Sequence, residues 1–324
     1  MRYIDIFNGD ADGILALLQL RLAEPRQSLL VTGVKRDNQL AVKPQYEEGD
    51  VVTVLDLSLE KNIEGVNRAL KAGARVHYVD HHRPGNIPEH ELLTTQIDTS
   101  VDVCTALLID KQLNGRFHLW AITAAYGDNL LEVAEGLAVA QGLSLQQRTQ
   151  LKDLGVLINY NSYGHSIADL HIAPAALYQA LLAYYSPFDA IADLSSPYHR
   201  LRIAYAEDMQ KAQLAEVYYK SDILKVVKLP DQAWARRVSG VLGNDLANSD
   251  PERAHIVLSQ SCSGDFMVSL RAPKNNKQGA SQICSTFKTG GGREAAAGIN
   301  CLPADNIEAL LTVTEQFYAS SSGE

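Results

Sequence analysis

Carboxylates and imidazoles recur in this 324-residue chain at the points where apolar runs end. Asp10 and Asp12 stand in Asn8-Gly9-Asp10-Ala11-Asp12-Gly13, directly after the apolar run Tyr3–Phe7. Asp56 closes Val51–Leu55, and Asp80-His81-His82 closes Arg75–Val79. A fourth acid, Asp128, follows a helical stretch in Tyr126-Gly127-Asp128-Asn129. One Asp in such a turn is ordinarily a helix N-cap. Three neighbouring strands ending in Asp or His, with Asp128 besides, are better explained by a shared cation, because so many carboxylates at one point repel one another. Hard oxygens with one imidazole suit Mn2+ or Mg2+ better than a thiolate-seeking metal. Two ions about 3.5–4 Å apart would resolve the repulsion.

A second set lies in the last third of the chain. Ser269-Leu270-Arg271 ends an apolar run, and Gly290-Gly291-Gly292-Arg293 precedes Ala295-Ala296-Ala297-Gly298-Ile299. A triple glycine by itself reads as a flexible loop. With Arg293 and an apolar run at once behind it, the same stretch fits close approach of the backbone to an anion, amide donors and guanidinium sharing one phosphate.

These residues need elements to hold them. The spacing predicts strands at Tyr3–Phe7, Ser28–Val34, Val51–Leu55 and Arg75–Val79, alternating with helices at Ile14–Leu22 and Leu59–Ala72, the latter stopped by Gly73. That rhythm implies a parallel sheet with helices on its faces, whose ligands bind at the carboxyl ends of the strands. Those ends are where the acids and histidines fall. The pattern from Val101 to Tyr185 is helical, the stretch from Ser186 to Pro197 reads as a boundary, and a helical connector is expected over Tyr198–Tyr219. Residues 222–318 read as a smaller α/β unit, with strands at Ile223–Leu229, His255–Ser259 and Phe266–Leu270 and a final helix at Ile307–Tyr318. The tail Ser320–Glu324 is polar and expected to fray.

Composition narrows the function classes. Lys and Arg number 29 against 38 Asp and Glu, a net charge of −9, and the acid excess lies in residues 1–221. A duplex-DNA binder needs a basic surface to release counterions, so that class is not expected. An acidic unit can still take a phosphate if its carboxylates hold metal ions. The cysteines Cys104, Cys262, Cys284 and Cys301 form no C-x-x-C pair and read as buried, reduced thiols. Neither a signal peptide nor a membrane span is visible, and a cytoplasmic protein is expected.

The ordered set of Asp10-Ala11-Asp12, Asp56-Leu57-Ser58, Asp80-His81-His82, Asp128, Ser269-Leu270-Arg271 and Gly290-Gly291-Gly292-Arg293 with Gly298 resembles the DHH phosphoesterases. It is similar in particular to the branch with a C-terminal DHH-associated domain, which includes RecJ-type exonucleases and nanoRNase A-like enzymes. The resemblance spans nearly the whole chain. It implies an α/β protein with a catalytic DHH domain over residues 1–190, a helical linker over 191–221 and a DHH-associated substrate domain over 222–324. It implies phosphoester hydrolysis with two Mn2+ ions, Mg2+ being the substitute. Asp10, Asp12, Asp56, His81 and Asp128 would be metal ligands and Asp56 would bridge the ions. Asp80 would orient His81, and His82 would face the phosphate. Asn8, Arg271, Gly291, Gly292 and Arg293 would contact substrate. Two positions depart from the pattern. Ile6 stands where the nanoRNase-like sequences have a ligating His, and Arg293 stands where the glycine loop ordinarily ends in His. The expected activity is hydrolysis of short linear oligonucleotides or dinucleotides, such as pGpG or pApA, to mononucleotides. Alternative readings are a phosphatase on pAp, a polyphosphatase or pyrophosphatase, and a non-catalytic nucleotide sensor.

Overall fold

The computed structural model describes residues 1–260 and 264–321, so Cys262 and the last three residues of the tail lie outside the described residues. The chain divides into two compact units, Met1–Ala204 and Tyr205–Glu324.

The first unit is built on a parallel sheet of β1 (Tyr3–Phe7), β2 (Leu29–Val31), β3 (Val51–Leu55), β4 (Arg75–Asp80) and β5 (Leu93–Ile97), in the order β2-β1-β3-β4-β5. Strands β1 and β3 are buried on both faces beyond their first residues, as sheets covered by helices on both sides require. Strand β5 carries no clear alternation in Leu93-Thr94-Thr95-Gln96-Ile97, and the hydrophobic pattern does not announce it. Helix α1 (Ala11–Ala23) is buried from Ala11 through Arg21, which explains a sequence apolar all round. Its one buried cation, Arg21, donates to Asp5 on β1 over 2.8 Å from Nε, and Ser28 donates to the same carboxylate over 2.6 Å. Helix α2 (Leu59–Lys71) is amphipathic and ends before Gly73, whose φ of 84° is the left-handed conformation expected of a glycine beyond a helix end.

Seven helices complete this part of the chain: α3 (Thr105–Gln112), α4 (His118–Gly127), α5 (Leu131–Ala140), α6 (Leu145–Tyr160), α7 (Pro174–Leu181), α8 (Pro187–Ala192) and α9 (Pro197–Ala212), the last of which spans the division between the units. The close crossing of α1, α4 and α6 depends on Gly127. A Cβ there would lie 2.5 Å from the Ala11 Cβ and 2.7 Å from the Gly155 carbonyl. This contact brings the carboxyl end of α4, and Asp128 with it, against the start of α1.

The second unit holds a mixed sheet in the order β10-β11-β9-β8-β7-β6. Its strands are β6 (Glu216–Lys220), β7 (Leu224–Leu229), β8 (Ala254–Gln260), β9 (Phe266–Arg271), β10 (Gly290–Gly292) and β11 (Ala296–Leu302). Helices α10 (Ala233–Ser249), α11 (Ala280–Ser285) and α12 (Ile307–Ser321) accompany them. Leu224, Val226, Ile256, Leu258, Val268, Leu270 and Ile299 form the centre of its core.

Two expectations are corrected here. The predicted connector helix stops at Ala212, and Glu216–Lys220 is a strand paired antiparallel to β7. Val217, Tyr218 and Tyr219 have high strand propensity, which overrides the preceding helical spacing. The triple glycine is likewise a strand. Gly290, Gly291 and Gly292 pair with Ile299, Gly298 and Ala297, and Arg293 and Ala296 exchange backbone hydrogen bonds at the hairpin end. Gly290 is required for close approach, since a Cβ would meet the Cys284 carbonyl at 1.7 Å. Cys104 and Cys284 are buried thiols as expected, whereas Cys301 is exposed.

Candidate metal centre

The carboxyl ends of β1, β3 and β4 bring Asp10, Asp12, Asp56 and Asp80-His81-His82 together, and α4 adds Asp128. Asp10 is the N-cap of α1, its Oδ1 accepting from the Gly13 amide over 3.1 Å. The ordinary helix-cap role and membership of the acid cluster are both present in one residue. Asp12, in the first turn of α1, is held by another helix start. Its Oδ2 accepts from the Thr105 amide over 2.8 Å and its Oδ1 from the Ala106 amide over 2.7 Å, where the positive end of α3 favours a carboxylate.

Asp56 leaves β3 with φ of 57°, a left-handed conformation that Asp tolerates better than most residues. This turn directs a carboxylate that is 1% exposed into the cluster, and its Oδ1 has no hydrogen-bond donor. Burial pushes the Asp56 carboxyl well above the usual carboxylate range, and Asp10, Asp12 and Asp80 push it the same way. Burial raises Asp12 too, against the opposing pull of His81.

His81 is set as a ligand. Its Nδ1 lies 2.7 Å from the Val103 carbonyl. A carbonyl only accepts, so Nδ1 carries the proton and the Nε2 lone pair is left for a cation. Nε2 lies 3.4 Å from Asp56 Oδ1 and 3.7 Å from Asp12 Oδ2. Ligand atoms of Asp12, His81 and Asp128 fall within 4.8 Å of one another, and so do those of Asp56, His81 and His82. The residues therefore fit a hard divalent ion: three buried carboxylates, one imidazole of fixed tautomer, no thiolate, and an orphaned buried oxygen that a cation would satisfy.

Asp80 does not orient His81, contrary to expectation. Its Oδ1 accepts from His82 Nδ1 over 2.7 Å, because the side chain of the residue two further on reaches it while His81 turns towards Val103. Burial alone would raise Asp80, but His82 holds its carboxyl below the usual value. His82 keeps 30% of its side chain exposed at the rim. Asn8 is buried beside the cluster and donates from Nδ2 to the Lys35 carbonyl over 3.3 Å.

Sequence reasoning missed Lys35. It follows β2, and its Nζ forms a short ion pair with Asp10 Oδ2. The same Nζ lies 3.8 Å from Asp128 Oδ1 and donates to Asn159 Oδ1 over 3.2 Å. Burial alone would lower its pKa, but Asp10, then Tyr163 and Asp128, hold the ammonium above its ordinary value. Burial likewise acts to raise Asp10, and Lys35 is the leading influence that keeps that carboxyl below its usual value. The available signal was a lysine just after a short strand of a sheet whose other strand ends carry acids.

In the second unit, Arg271, expected to contact substrate, is engaged within the fold. Arg271 is buried, and its Nε donates to Asn244 Oδ1 over 2.6 Å, its Nη2 to the Gly240 carbonyl over 3.1 Å and its Nη1 to the Leu270 carbonyl over 3.2 Å. These bonds tie β9 to α10. Arg293 sits half-buried at the β10–β11 hairpin, with Gly291 and Gly292 on the strand before it. Among the described residues no helix is long and apolar enough to cross a membrane.

No protein-family model and no curated protein matches the chain. Solved structures do. A manganese-bound RecJ exonuclease is 18% identical with a TM-score of 0.58, over 98% of this chain and 90% of that one. RecJ from Thermus thermophilus in complex with Mn2+ is 15% identical with a TM-score of 0.57, over 98% of this chain and 52% of that one. The pGpG-specific phosphodiesterase PggH from Vibrio cholerae is 14% identical with a TM-score of 0.54, over 99% of both chains. The chain, with its parallel five-stranded sheet and a second unit built on a mixed sheet, thus shares the fold of RecJ and PggH.

Proposed function

We propose that this chain is a divalent-metal-dependent phosphodiesterase acting on short linear nucleotides, with dinucleotides such as pGpG as the favoured class. The observation that carries the reading is the convergence of His81 Nε2, fixed by Val103, with Asp12, Asp128 and the donor-less Asp56 Oδ1. These four residues would hold the ion, Mn2+ first and Mg2+ as substitute. When bound, the ion would activate water and offset the charge that builds on the attacked phosphate.

The residues around it have separate tasks. The α3 amides aim Asp12, and the Val103 carbonyl keeps the His81 lone pair on the cluster. Asp80 fixes the ring of His82, whose exposed edge is suited to a phosphate oxygen. Arg293, at the hairpin end of the Gly290–Gly292 strand, is assigned a terminal phosphate, since guanidinium pairs with phosphate bidentately and cannot ligate a cation.

The acidic composition supports a short substrate over duplex DNA. Full-length similarity in fold to a pGpG-specific enzyme supports a dinucleotide. Similarity to RecJ favours a second reading, exonucleolytic cleavage of longer single strands. A turnover panel of pGpG, pApA, pAp, cyclic di-GMP, polyphosphate and longer RNA with added Mn2+ separates them. Release of mononucleotides from linear dinucleotides is expected. Hydrolysis confined to pAp or polyphosphate, or turnover after exhaustive chelation, would overturn the proposal.

A further inference from the structure

The acid cluster is divided unevenly. Asp12, Asp56, Asp128, His81 and His82 make up both groups of ligand atoms close enough to share an ion, and Asp10 belongs to neither. Both Asp10 oxygens are already engaged, Oδ1 by the Gly13 amide and Oδ2 by the Lys35 ammonium. Lys35 is anchored at both ends. Its amide donates to the Ser162 carbonyl over 2.9 Å, its own carbonyl accepts from Asn8, and its Nζ is shared among Asp10, Asn159 and Asp128. Only 24% of the side chain is exposed. Ile6, where a ligating His stands in the nanoRNase-like pattern, is fully buried among apolar neighbours and offers no donor.

An ion entering between Asp10 and Asp128 therefore meets a resident positive charge and gains no ligand from Ile6. We infer that Lys35 is a built-in cation that competes for this edge of the centre. One divalent ion binds tightly at Asp12, Asp56, Asp128 and His81, and a second reaches Asp10 only by displacing the Lys35 ammonium. The two ion positions are unequal by construction. The inference rests on the metal-centre reading above and goes further, because it assigns the order of loading to a residue outside the family's motif.

The test is equilibrium Mn2+ binding to the full chain, by dialysis with metal analysis and by the spin-resonance signal of free Mn2+. Lys35→Gln keeps a hydrogen-bonding side chain towards Asp10 and Asn159 without the charge; Lys35→Arg keeps the charge. Wild type and Lys35→Arg should bind one ion tightly, with a second class at least about 10-fold weaker or undetected. Lys35→Gln should tighten that second class by about 10- to 150-fold, the range for losing a charge-assisted hydrogen bond that an incoming ion must break. Two equal classes in wild type, or an unchanged or weakened second class in Lys35→Gln, overturn the inference. If Lys35→Gln folds only with Mn2+ present, its stoichiometry is read after refolding in Mn2+ against wild type treated alike, with the same two outcomes. Absence of any Mn2+ binding by wild type would instead remove the metal-centre reading itself.

Discussion

Replacing Asp56 by Asn should make the metal-free protein more stable while disabling its metal centre. Asp56 is buried, its Oδ1 has no donor, and Asp10, Asp12 and Asp80 surround it with like charge. A buried acceptor without a partner costs about 1–3 kcal/mol. Asn is nearly the same shape, carries no charge, and its amide can donate to a neighbouring carboxylate. It also tolerates the left-handed φ of 57°, where Ala would add about 1–2 kcal/mol of strain and confuse the result. For a unit the size of Met1–Ala204, 1 kcal/mol corresponds to about 2–4 °C, so the metal-free melting temperature should rise by about 2–12 °C. Wild type with Mn2+ at about 100 times its Kd should gain about 2.7 kcal/mol, roughly 5–11 °C, and Asp56→Asn should gain little of it. Hydrolysis should fall by more than about 10²-fold, the scale for removing a key electrostatic element. Thermal melts with chelator and with Mn2+, alongside turnover of pGpG, measure all three quantities. A variant that melts lower than wild type without metal, yet keeps its Mn2+ shift and its turnover, would refute the reasoning.

Arg293→Ala should leave Mn2+ binding intact and lower kcat/KM on a 5′-phosphorylated dinucleotide by about 10- to 150-fold, with a smaller loss when that phosphate is absent; equal losses on both substrates would remove its recognition role. Gly127→Ala should destabilise the first unit by about 1–3 kcal/mol and weaken Mn2+ binding, because its Cβ would press on Ala11 at 2.5 Å and push Asp128 away; calorimetry and metal titration check this. Asp50, held by Arg2 over 2.7 Å, has a carboxyl below its usual value, first through that hydrogen bond and against partial burial. Its contribution is therefore fully present above the unfolded value of 3.8 and disappears as pH falls through the lower folded value, so Asp50→Asn should melt below wild type at neutral pH and approach it in acid.

Strands β3 and β4 were legible because their apolar runs stop at Asp56 and Asp80, and β1 because its run stops just before Asn8-Gly9-Asp10. Strand β5 was not, since Leu93-Thr94-Thr95-Gln96-Ile97 sits at the sheet edge and needs no such pattern. The extension of the second sheet to β6 was hidden behind helical spacing that runs on past Ala212. A triple glycine gives no pattern at all, and only its partners Ala297, Gly298 and Ile299 make it a strand.

The site divides in the same way. Carboxylates and histidines announce themselves by type and place, but what each is bonded to depends on neighbours far along the chain. Val103 sets the tautomer of His81 across 22 residues, and Thr105 and Ala106 hold Asp12 across more than 90. Asp80 and His82, only two residues apart, bond to each other, and this frees His81 to be fixed by a backbone carbonyl instead. Lys35 is the plainest case. In sequence it is one cation in a loop, and only the fold places it against Asp10, Asp128 and Asn159. A motif can give the acids that invite metal ions. How many of those acids are still available depends on the cations the fold has already brought among them, and here one lysine has claimed Asp10.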